Sequence, residues 1–258
     1  MLKAVILAAG KGTRMNSEKP KVVHQVLAMP MVYYAIEAAF DAGADRVCVI
    51  VGYKADEVKS AIAEAYASEP DRLSHIEYAI QSEQLGTGHA VRCASSFIGT
   101  DGDVVVLCGD TPLVTADTLH GGIRTHQSMG NGVTVISAVL DEPHGYGRII
   151  RETGAGTLSR IVEEKDASDD EREIKEVNSG IYIFDCGALT DALERITNDN
   201  AQGEYYLPDT IEIIKRSGLR ADVCPMDDAD AIRGVNTIEQ LACAEEIMKY
   251  KRQNGQGE

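Results

Sequence analysis

Short apolar segments alternate with helix-like periods over the first 110 residues, and this alternation most constrains the fold. Continuous apolar runs are typical of strands buried on both faces, and a helix between two runs returns the chain for parallel pairing. The pattern predicts an α/β fold in which helices cover both faces of a parallel sheet. The predicted segments are strand Ala4 to Leu7, helix Met31 to Phe40, strand Val47 to Val51, helix Ala55 to Ala67, strand Ile76 to Ile80 and strand Val104 to Leu107.

The second half of the chain has a different character, because β-type runs replace the alternation. Val133 to Leu140, Leu158 to Val162 and Gly180 to Phe184 are the predicted strands. A polar loop at residues 145–148 and a charged stretch at residues 163–176 separate them. We therefore expect an antiparallel, β-rich extension beside the first half, which makes the sheet mixed but mostly parallel.

A helix is predicted near the C-terminus, over residues 237–252. Thr237 is a good N-cap residue, and the apolar side chains that follow form a partial face at helical spacing. A polar tail, Arg252 to Glu258, comes after it. The expected organisation is one domain over residues 1–236 and a linker-like helix with its tail over residues 237–258.

The charge balance limits the partners that this protein can have. Its 258 residues include 25 Lys and Arg against 41 Asp and Glu, a formal net charge of −16. Binding to DNA or RNA depends on many basic contacts with phosphates, so nucleic acid is not an expected partner. No apolar run reaches the roughly 20 residues of a membrane-spanning helix. The start of the chain also shows no signal-peptide pattern, so we expect a cytoplasmic protein. Its six cysteines include no C-x-x-C pair, and we expect them to be reduced thiols.

A glycine-rich loop with basic residues follows the first predicted strand. Gly10 and Gly12 lack a Cβ, so both can adopt positive φ and bring backbone N–H groups close to phosphate oxygens. Arg14 and Lys21 add full positive charges. A basic loop on an acidic protein indicates a small anionic ligand, and the alternative is a solvated connection between strand and helix.

Two oxygen-bearing side chains are candidates for a magnesium site. Asp110 follows the strand Val104 to Leu107, and Asn236 precedes the C-terminal helix. Mg²⁺ takes one or two protein oxygens and completes its coordination with substrate phosphates and water. Alternatively, Asp110 opens the turn at Thr111-Pro112 and Asn236 is a loop amide near a helix cap.

Two further groups of residues carry donors and acceptors suited to uncharged parts of a ligand. Gln81, Gly86 and Thr87 can match the hydrogen-bonding edge of a pyrimidine, or they form a glycine-hinged turn in which Thr87 caps the next helix. In the β-rich half, the residues suited to sugar hydroxyls and an acetamido group are Gly147, Glu163 and Asn178. Their alternative roles are a bend glycine, a surface acid and a turn asparagine.

Taken together, these motifs resemble a known family. Leu7-Ala8-Ala9-Gly10-Lys11-Gly12-Thr13-Arg14-Met15 with Pro20-Lys21 is similar to the signature of sugar-nucleotide pyrophosphorylases. Later motifs resemble the uridyltransferase half of bacterial bifunctional N-acetylglucosamine-1-phosphate uridyltransferases, nearly throughout the chain and in the same order. These motifs are Gln81 to Ala90, Gly145 to Ile149, Ile161 to Ala167, Asn178-Ser179-Gly180 and Asn200 to Tyr206.

The resemblance implies a Rossmann-like nucleotide-diphosphosugar transferase fold. It also implies an Mg²⁺-dependent reaction in which UTP and N-acetylglucosamine 1-phosphate give UDP-N-acetylglucosamine and pyrophosphate, for cell-envelope and peptidoglycan precursor synthesis. Arg14 and Lys21 would be catalytic, and Asp110 and Asn236 would hold the metal. The implied substrate-binding residues are Leu7, Ala8, Ala9, Gly10, Lys21, Gln81, Gly86, Thr87, Gly109, Asp110, Gly147, Glu163, Asn178 and Asn236.

Two departures from the family pattern modify these expectations. Cys108 stands where the bifunctional enzymes usually have Tyr before Gly-Asp. The chain also carries no hexapeptide repeats of the kind that form the acetyltransferase β-helix, so we expect one activity and a monomer or weak homodimer. A pyrophosphorylase for another sugar phosphate or nucleotide, such as a glucose-1-phosphate thymidylyl- or uridylyltransferase, and a non-catalytic nucleotide-sugar-binding regulator remain alternative functions.

Overall fold

A computed structural model describes residues 1–154 and 156–254 of the chain. Its strands are β1 (Leu2–Ala8), β2 (Gln25–Val26), β3 (Met29–Pro30), β4 (Arg46–Val51), β5 (Ile76–Ile80), β6 (Asp103–Cys108), β7 (Val133–Val139), β8 (Arg148–Arg151), β9 (Leu158–Val162), β10 (Glu176–Asp185) and β11 (Ala221–Pro225). Its α-helices are α1 (Met31–Asp41), α2 (Ala55–Ala65), α3 (Pro70–Ser74), α4 (Thr87–Cys93), α5 (Ser95–Ile98), α6 (Ala116–Met129), α7 (Asp169–Arg172), α8 (Cys186–Arg195), α9 (Asp209–Arg216) and α10 (Ile238–Gln253).

The central sheet is mixed and mostly parallel, which confirms the predicted fold class. Its strands follow the order β11-β7-β10-β6-β1-β4-β5. β1 is parallel to β4 and β6, β4 to β5, and β7 to β11, whereas β10 is antiparallel to both of its neighbours, β6 and β7. β8 pairs with β9 and with β10, and these strands form the β-rich extension.

The core lies on both faces of the sheet. In β1, Val5 belongs to one buried cluster and its neighbour Ile6 to another, and neither is exposed to solvent. Successive strand residues point to opposite faces, so this alternation shows that both faces are covered. Leu189 of α8 packs on the Val5 face, and Ile36 of α1 packs on the Ile6 face. The sequence prediction of a doubly covered sheet is therefore confirmed.

β10 is longer than the predicted strand Gly180 to Phe184. The prediction missed its first half because that half is polar and irregular. The strand spans Glu176–Asp185, and its pairing with β7 shifts register between Asn178 and Tyr182. Gly180 lies within this irregularity with φ +78°. A glycine at positive φ inside a strand is typical of a β-bulge. The bulge interrupts the alternation of side chains by which a strand is recognised in a sequence.

The C-terminal helix α10 forms where it was predicted. The Thr237 hydroxyl accepts a hydrogen bond from the Gln240 N–H at 3.2 Å, as expected of an N-cap. Ala244 of this helix is buried against Met31 and Val235. Residues 255–258 of the predicted polar tail lie outside the described residues. Over residues 1–154 and 156–254, no helix combines the length and the apolar character needed to cross a membrane.

Candidate functional site

A cleft of about 290 Å³ opens at the edge of the sheet where β1, β4 and β6 end. Ligands of open α/β sheets bind at this edge, beyond the carboxyl ends of the strands. The predicted residues that line the cleft are Leu7, Ala8, Ala9, Gly10, Lys21, Gln81, Gly86, Thr87 and Asp110. The glycine-rich loop and the end of β6 thus lie at one edge of the sheet, as predicted, and the Gln81 loop lines the same cleft.

The two glycines of the glycine-rich loop have different roles. Gly12 adopts φ +67°, and a Cβ at this position would lie 2.5 Å from the Cβ of Lys21. Only glycine allows the loop to approach Lys21 this closely. Gly10 does not adopt positive φ, so the expectation for its backbone was wrong. Gly10 is exposed and lines the cleft, and no atom lies within 4 Å of the Cβ it lacks.

Four side chains from distant parts of the sequence meet at one side of the cleft. The Lys21 ammonium donates to Oδ2 of Asp110 and, at 2.9 Å, to Oδ1 of Asn236. The Arg14 guanidinium donates to the same amide oxygen at 2.8 Å. We call Arg14, Lys21, Asp110 and Asn236 the charge cluster. It joins both predicted catalytic cations to both predicted metal ligands.

Local backbone contacts fix the two oxygen-bearing members of this cluster. The Val235 N–H donates to the backbone carbonyl of Asp110 at 2.9 Å, so the segment before α10 is attached to the end of β6. The Asn236 N–H donates to Oε1 of Gln240 at 2.7 Å, which ties Asn236 to the first turn of α10. The helix that the sequence suggested as a linker therefore positions a residue of the site.

The donor set of the charge cluster fits a hard divalent cation. Asp110 offers carboxylate oxygens and Asn236 an amide oxygen, and one ammonium group already contacts both residues. In the described part of the chain, the charge cluster included, no group of three or more His, Cys, Asp or Glu is arranged to hold a metal. Two protein oxygens suit Mg²⁺ when phosphate oxygens and water supply the rest.

The Gln81 loop forms the second wall of the cleft. Gln81 is only 4% exposed, and its amide nitrogen donates to the Gly86 carbonyl at 3.1 Å. Gly86 adopts φ +106° and is the N-cap residue of α4. Thr87 is the first residue of the helix, so the alternative in which Thr87 caps it was wrong. Its hydroxyl instead accepts a hydrogen bond from the Leu207 N–H at 3.1 Å.

The segment at residues 200–206 supports this loop, and sequence reasoning gave it no role at the site. Tyr205 donates its N–H to the Leu85 carbonyl at 2.8 Å and accepts from the Gly88 N–H at 2.7 Å. A Cβ on Gly86 would lie 2.6 Å from the Tyr205 carbonyl oxygen. Glu204 lines the cleft itself. The motif Asn200 to Tyr206 was the sequence signal for this supporting role. The Gln81 loop that it contacts is more than 100 residues away in the chain.

The three residues predicted to bind a sugar converge in the β-rich extension. A Cβ on Gly147 would lie 3.3 Å from Oε1 of Glu163 and 3.5 Å from Cβ of Asn178. The Asn178 N–H donates to the Gly147 carbonyl at 2.8 Å, and its side-chain amide donates to the Tyr182 hydroxyl at 2.7 Å. Burial raises the pKa of Glu163, and the nearby carboxylates of Asp166 and Asp209 raise it further.

A buried arginine next to Gly147 anchors this region. Arg148 is 1% exposed, donates to the carbonyls of Tyr146 and Arg172, and pairs with Glu164 at 2.8 Å. Removing one partner of a buried ion pair costs about 3 to 5 kcal/mol, so this arginine has a structural role. Its position in the motif gave no indication that its charge points inward.

Cys108 lies between the cleft and the residues predicted to bind a sugar. It lines the cleft, and its Sγ lies 3.9 Å from the carbonyl oxygen of Gly180, which is two residues after Asn178 in the chain. Burial raises the pKa of the Cys108 thiol to about 12, and the Asp110 carboxylate adds to this shift. The thiol is neutral near pH 7 and is not an activated nucleophile.

A mostly parallel sheet covered by helices, with a glycine-rich loop after β1, is typical of Rossmann-like α/β proteins. A solved structure supports this class. The crystal structure of UDP-glucose pyrophosphorylase complexed with UDP-glucose matches 97% of this chain and 99% of its own chain, with a TM-score of 0.77 and 19% sequence identity.

The family model described as nucleotidyl transferase matches residues 3–230, and the chain belongs to this family. Among its relatives, the "Bifunctional protein GlmU" of Caldanaerobacter subterraneus subsp. tengcongensis is 47% identical over 97% of this chain and 52% of its own length. The protein of the same description from Staphylococcus epidermidis is 45% identical over 98% of this chain and 55% of its own length. The chain thus spans about half the length of these relatives.

Proposed function

We propose that this protein transfers the uridylyl group of UTP to N-acetylglucosamine 1-phosphate, giving UDP-N-acetylglucosamine and pyrophosphate. The observation that carries the proposal is the charge cluster, in which Lys21 joins Asp110 to Asn236 and Arg14 reaches the same amide. Two cations beside a pair of hard oxygens suit a nucleoside triphosphate with its metal ion. The similarity to bifunctional GlmU proteins supports the same assignment.

The chain would act by positioning and by charge compensation. The attacking phosphate oxygen of the sugar phosphate is already an anion, so the reaction needs no general base. This fits a cleft in which the Cys108 thiol is neutral. Lys21 and Arg14 would offset the charge that develops on the departing pyrophosphate, and the end of β1 with Gly10 would hold the triphosphate. Bringing two polyanions together in a fixed orientation accounts for most of the expected acceleration.

Asp110 and Asn236 would hold Mg²⁺, which when bound screens phosphate charge and polarises the α-phosphate. The Lys21 ammonium contacts Oδ2 of Asp110 and Oδ1 of Asn236, the two residues that would hold the ion. Nucleotide binding would redirect the Lys21 ammonium towards phosphate. Asp110 and Asn236 would then be free to act as metal ligands.

The Gln81 loop would select the base and the β-rich extension the sugar. The buried Gln81 amide and the backbone of Gly86 and Thr87 would pair with the uracil edge, where a wrong base leaves buried polar groups without partners. Glu163 and Asn178 would accept from and donate to the sugar hydroxyls and the acetamido group. Gly147 allows close approach, because a side chain there would fill the space between those two residues.

Release of pyrophosphate from UTP and N-acetylglucosamine 1-phosphate tests this function. Each of UTP, dTTP and ATP should be combined with the 1-phosphates of N-acetylglucosamine, glucose and galactose, with and without Mg²⁺. We expect the highest kcat/KM for UTP with the acetamido sugar. A preference for glucose 1-phosphate or dTTP would instead assign a pyrophosphorylase of other specificity. Nucleotide-sugar binding without pyrophosphate release would leave a non-catalytic binder.

A further inference from the structure

Two contacts of its amide nitrogen hold the Gln81 side chain in one orientation. Nε2 of Gln81 lies 3.1 Å from the Gly86 carbonyl oxygen and 3.1 Å from Nδ1 of His89. The same Gly86 carbonyl accepts from the Ala90 N–H at 3.1 Å, as the first hydrogen bond of α4. A carbonyl oxygen accepts and cannot donate, so the amide must turn its NH₂ group, and not its oxygen, towards Gly86.

The same geometry determines the protonation state of the His89 ring. An amide NH₂ group has two donors and no acceptor, so Nδ1 of His89 must be unprotonated to accept from Gln81. The neutral ring then carries its proton on Nε2. Burial lowers the pKa of His89 and the Arg92 guanidinium lowers it further, whereas the backbone and the carboxylate of Glu83 act in the opposite direction. The Tyr205 ring lies beside the imidazole, with the two ring centroids 6.4 Å apart.

These contacts leave the amide oxygen of Gln81 available to a ligand. Gln81 lines the cleft, and within the described chain its Oε1 has no hydrogen-bond partner and is not closed off from solvent. The side chain, only 4% exposed as a whole, therefore presents an acceptor to the cleft and uses its donors inside the protein. Uracil has an N–H donor at N3, whereas N3 of cytosine is an acceptor. A fixed acceptor pairs with uracil and leaves two lone pairs facing each other with cytosine.

We propose that His89 is a positioning residue whose Nδ1 holds the Gln81 amide with Oε1 towards the cleft, and that it thereby sets the preference for uracil over cytosine. The inference rests on the proposed function, because it concerns the base that Gln81 would select. Without an acceptor at the Nδ1 position, the amide loses one of its two hydrogen bonds. It can then turn its NH₂ group towards the cleft and donate to N3 of cytosine.

Two substitutions of His89 test the proposal through the choice of base. His89→Leu removes the acceptor with a small change in volume, and His89→Asn is the matched control, because its side-chain oxygen can take the place of Nδ1. Pyrophosphate release with N-acetylglucosamine 1-phosphate gives kcat/KM for UTP, dTTP and CTP. We expect His89→Leu to lower the UTP-to-CTP ratio of kcat/KM by about five- to tenfold, through a higher KM for UTP, and His89→Asn to keep most of the wild-type ratio. The UTP-to-dTTP ratio should stay the same, because thymine has the same N3 donor.

An unchanged UTP-to-CTP ratio in His89→Leu, or an equal loss in both variants, would overturn the proposal. Long-range proton–nitrogen correlation spectra of the wild-type protein give the His89 tautomer without any nucleotide. We expect a protonated Nε2 and an unprotonated Nδ1 near pH 7, and a proton on Nδ1 would overturn the proposal. If the wild-type protein releases no pyrophosphate, the proposed function fails, and calorimetric affinities of the same three proteins for UTP and CTP decide the role of His89. If His89→Leu does not fold, the wild-type tautomer decides it.

Discussion

The proposed nucleotide side and the proposed sugar side of the site differ in how their carboxylates are paired with basic residues. On the nucleotide side, Asp110 and Asn236 are in contact with the cations Lys21 and Arg14. On the proposed sugar side, Glu163 lies near the carboxylates of Asp166 and Asp209, and none of these three makes an ion pair with Lys or Arg within the described chain. A polyanionic ligand requires positively charged side chains, whereas a neutral sugar ring requires hydrogen-bond acceptors. The two regions therefore differ in the same way as their proposed ligands.

The largest effect should come from removing the cations. We expect Arg14→Ala and Lys21→Ala each to lower kcat by about 10³-fold, because groups that stabilise transition-state charge contribute on this scale. The steady-state rate of pyrophosphate release measures this decrease in kcat. Lys11→Ala is the matched control, since Lys11 is on the same loop but lies against the Tyr53 ring, 5.5 Å from its centroid. Near-normal turnover of the Arg14 and Lys21 variants with unchanged folding would contradict the proposed roles.

The next largest effect should come from Asp110, the carboxylate proposed to bind the metal. Asp110→Asn should raise the Mg²⁺ concentration for half-maximal rate by about 10- to 100-fold, because a charged oxygen ligand is replaced by a neutral one. A magnesium titration of the initial rate measures this. An unchanged titration would remove Asp110 from the metal site. It would leave the contact with Lys21 as its only role.

A smaller and more selective effect is expected on the sugar side. Glu163→Gln should raise KM for the sugar phosphate by about tenfold and leave KM for UTP unchanged, because one hydrogen bond to a charged acceptor is lost. If Asn178→Ala also raises KM for the sugar phosphate and leaves KM for UTP unchanged, a second residue supports the difference between the two regions. Equal changes in both KM values would show that Glu163 does not distinguish sugar from nucleotide.

The smallest expected effect is on stability and depends on pH. Burial raises the pKa of Asp209 to about 6, and Glu212 and Asp166 add to this. The folded state then holds a proton that the unfolded chain releases near pH 4, so ionised Asp209 destabilises the fold progressively as pH rises from about 4 to 6. Asp209→Asn should therefore raise Tm by a few degrees at pH 8 and leave it unchanged near pH 3. The exposed Asp199→Asn is the control, and equal Tm gains at both pH values would contradict the burial argument.

Structure that depends on residues close together in the sequence was predicted correctly. Contacts between segments far apart in the sequence were not predicted. The strands Ile76–Ile80 and Leu158–Val162 have their predicted ends, because their apolar residues and flanking turns are local signals. The first half of β10 was missed because its irregularity around Gly180 breaks that signal. Site residues that carry a motif came together as expected. Their exact partners, such as Asn236 with Lys21, depend on the tertiary fold.

The placement of Asn236 has a consequence for the order of events during synthesis. The charge cluster is closed by contacts between residues 215 and 222 positions apart in the chain. The Gln81 loop likewise depends on Leu207, 120 positions after Thr87. Because the chain leaves the ribosome from its N-terminus, a nascent polypeptide presents its glycine-rich loop long before Asn236 is made. The charge cluster is therefore completed only after residue 236 has been translated.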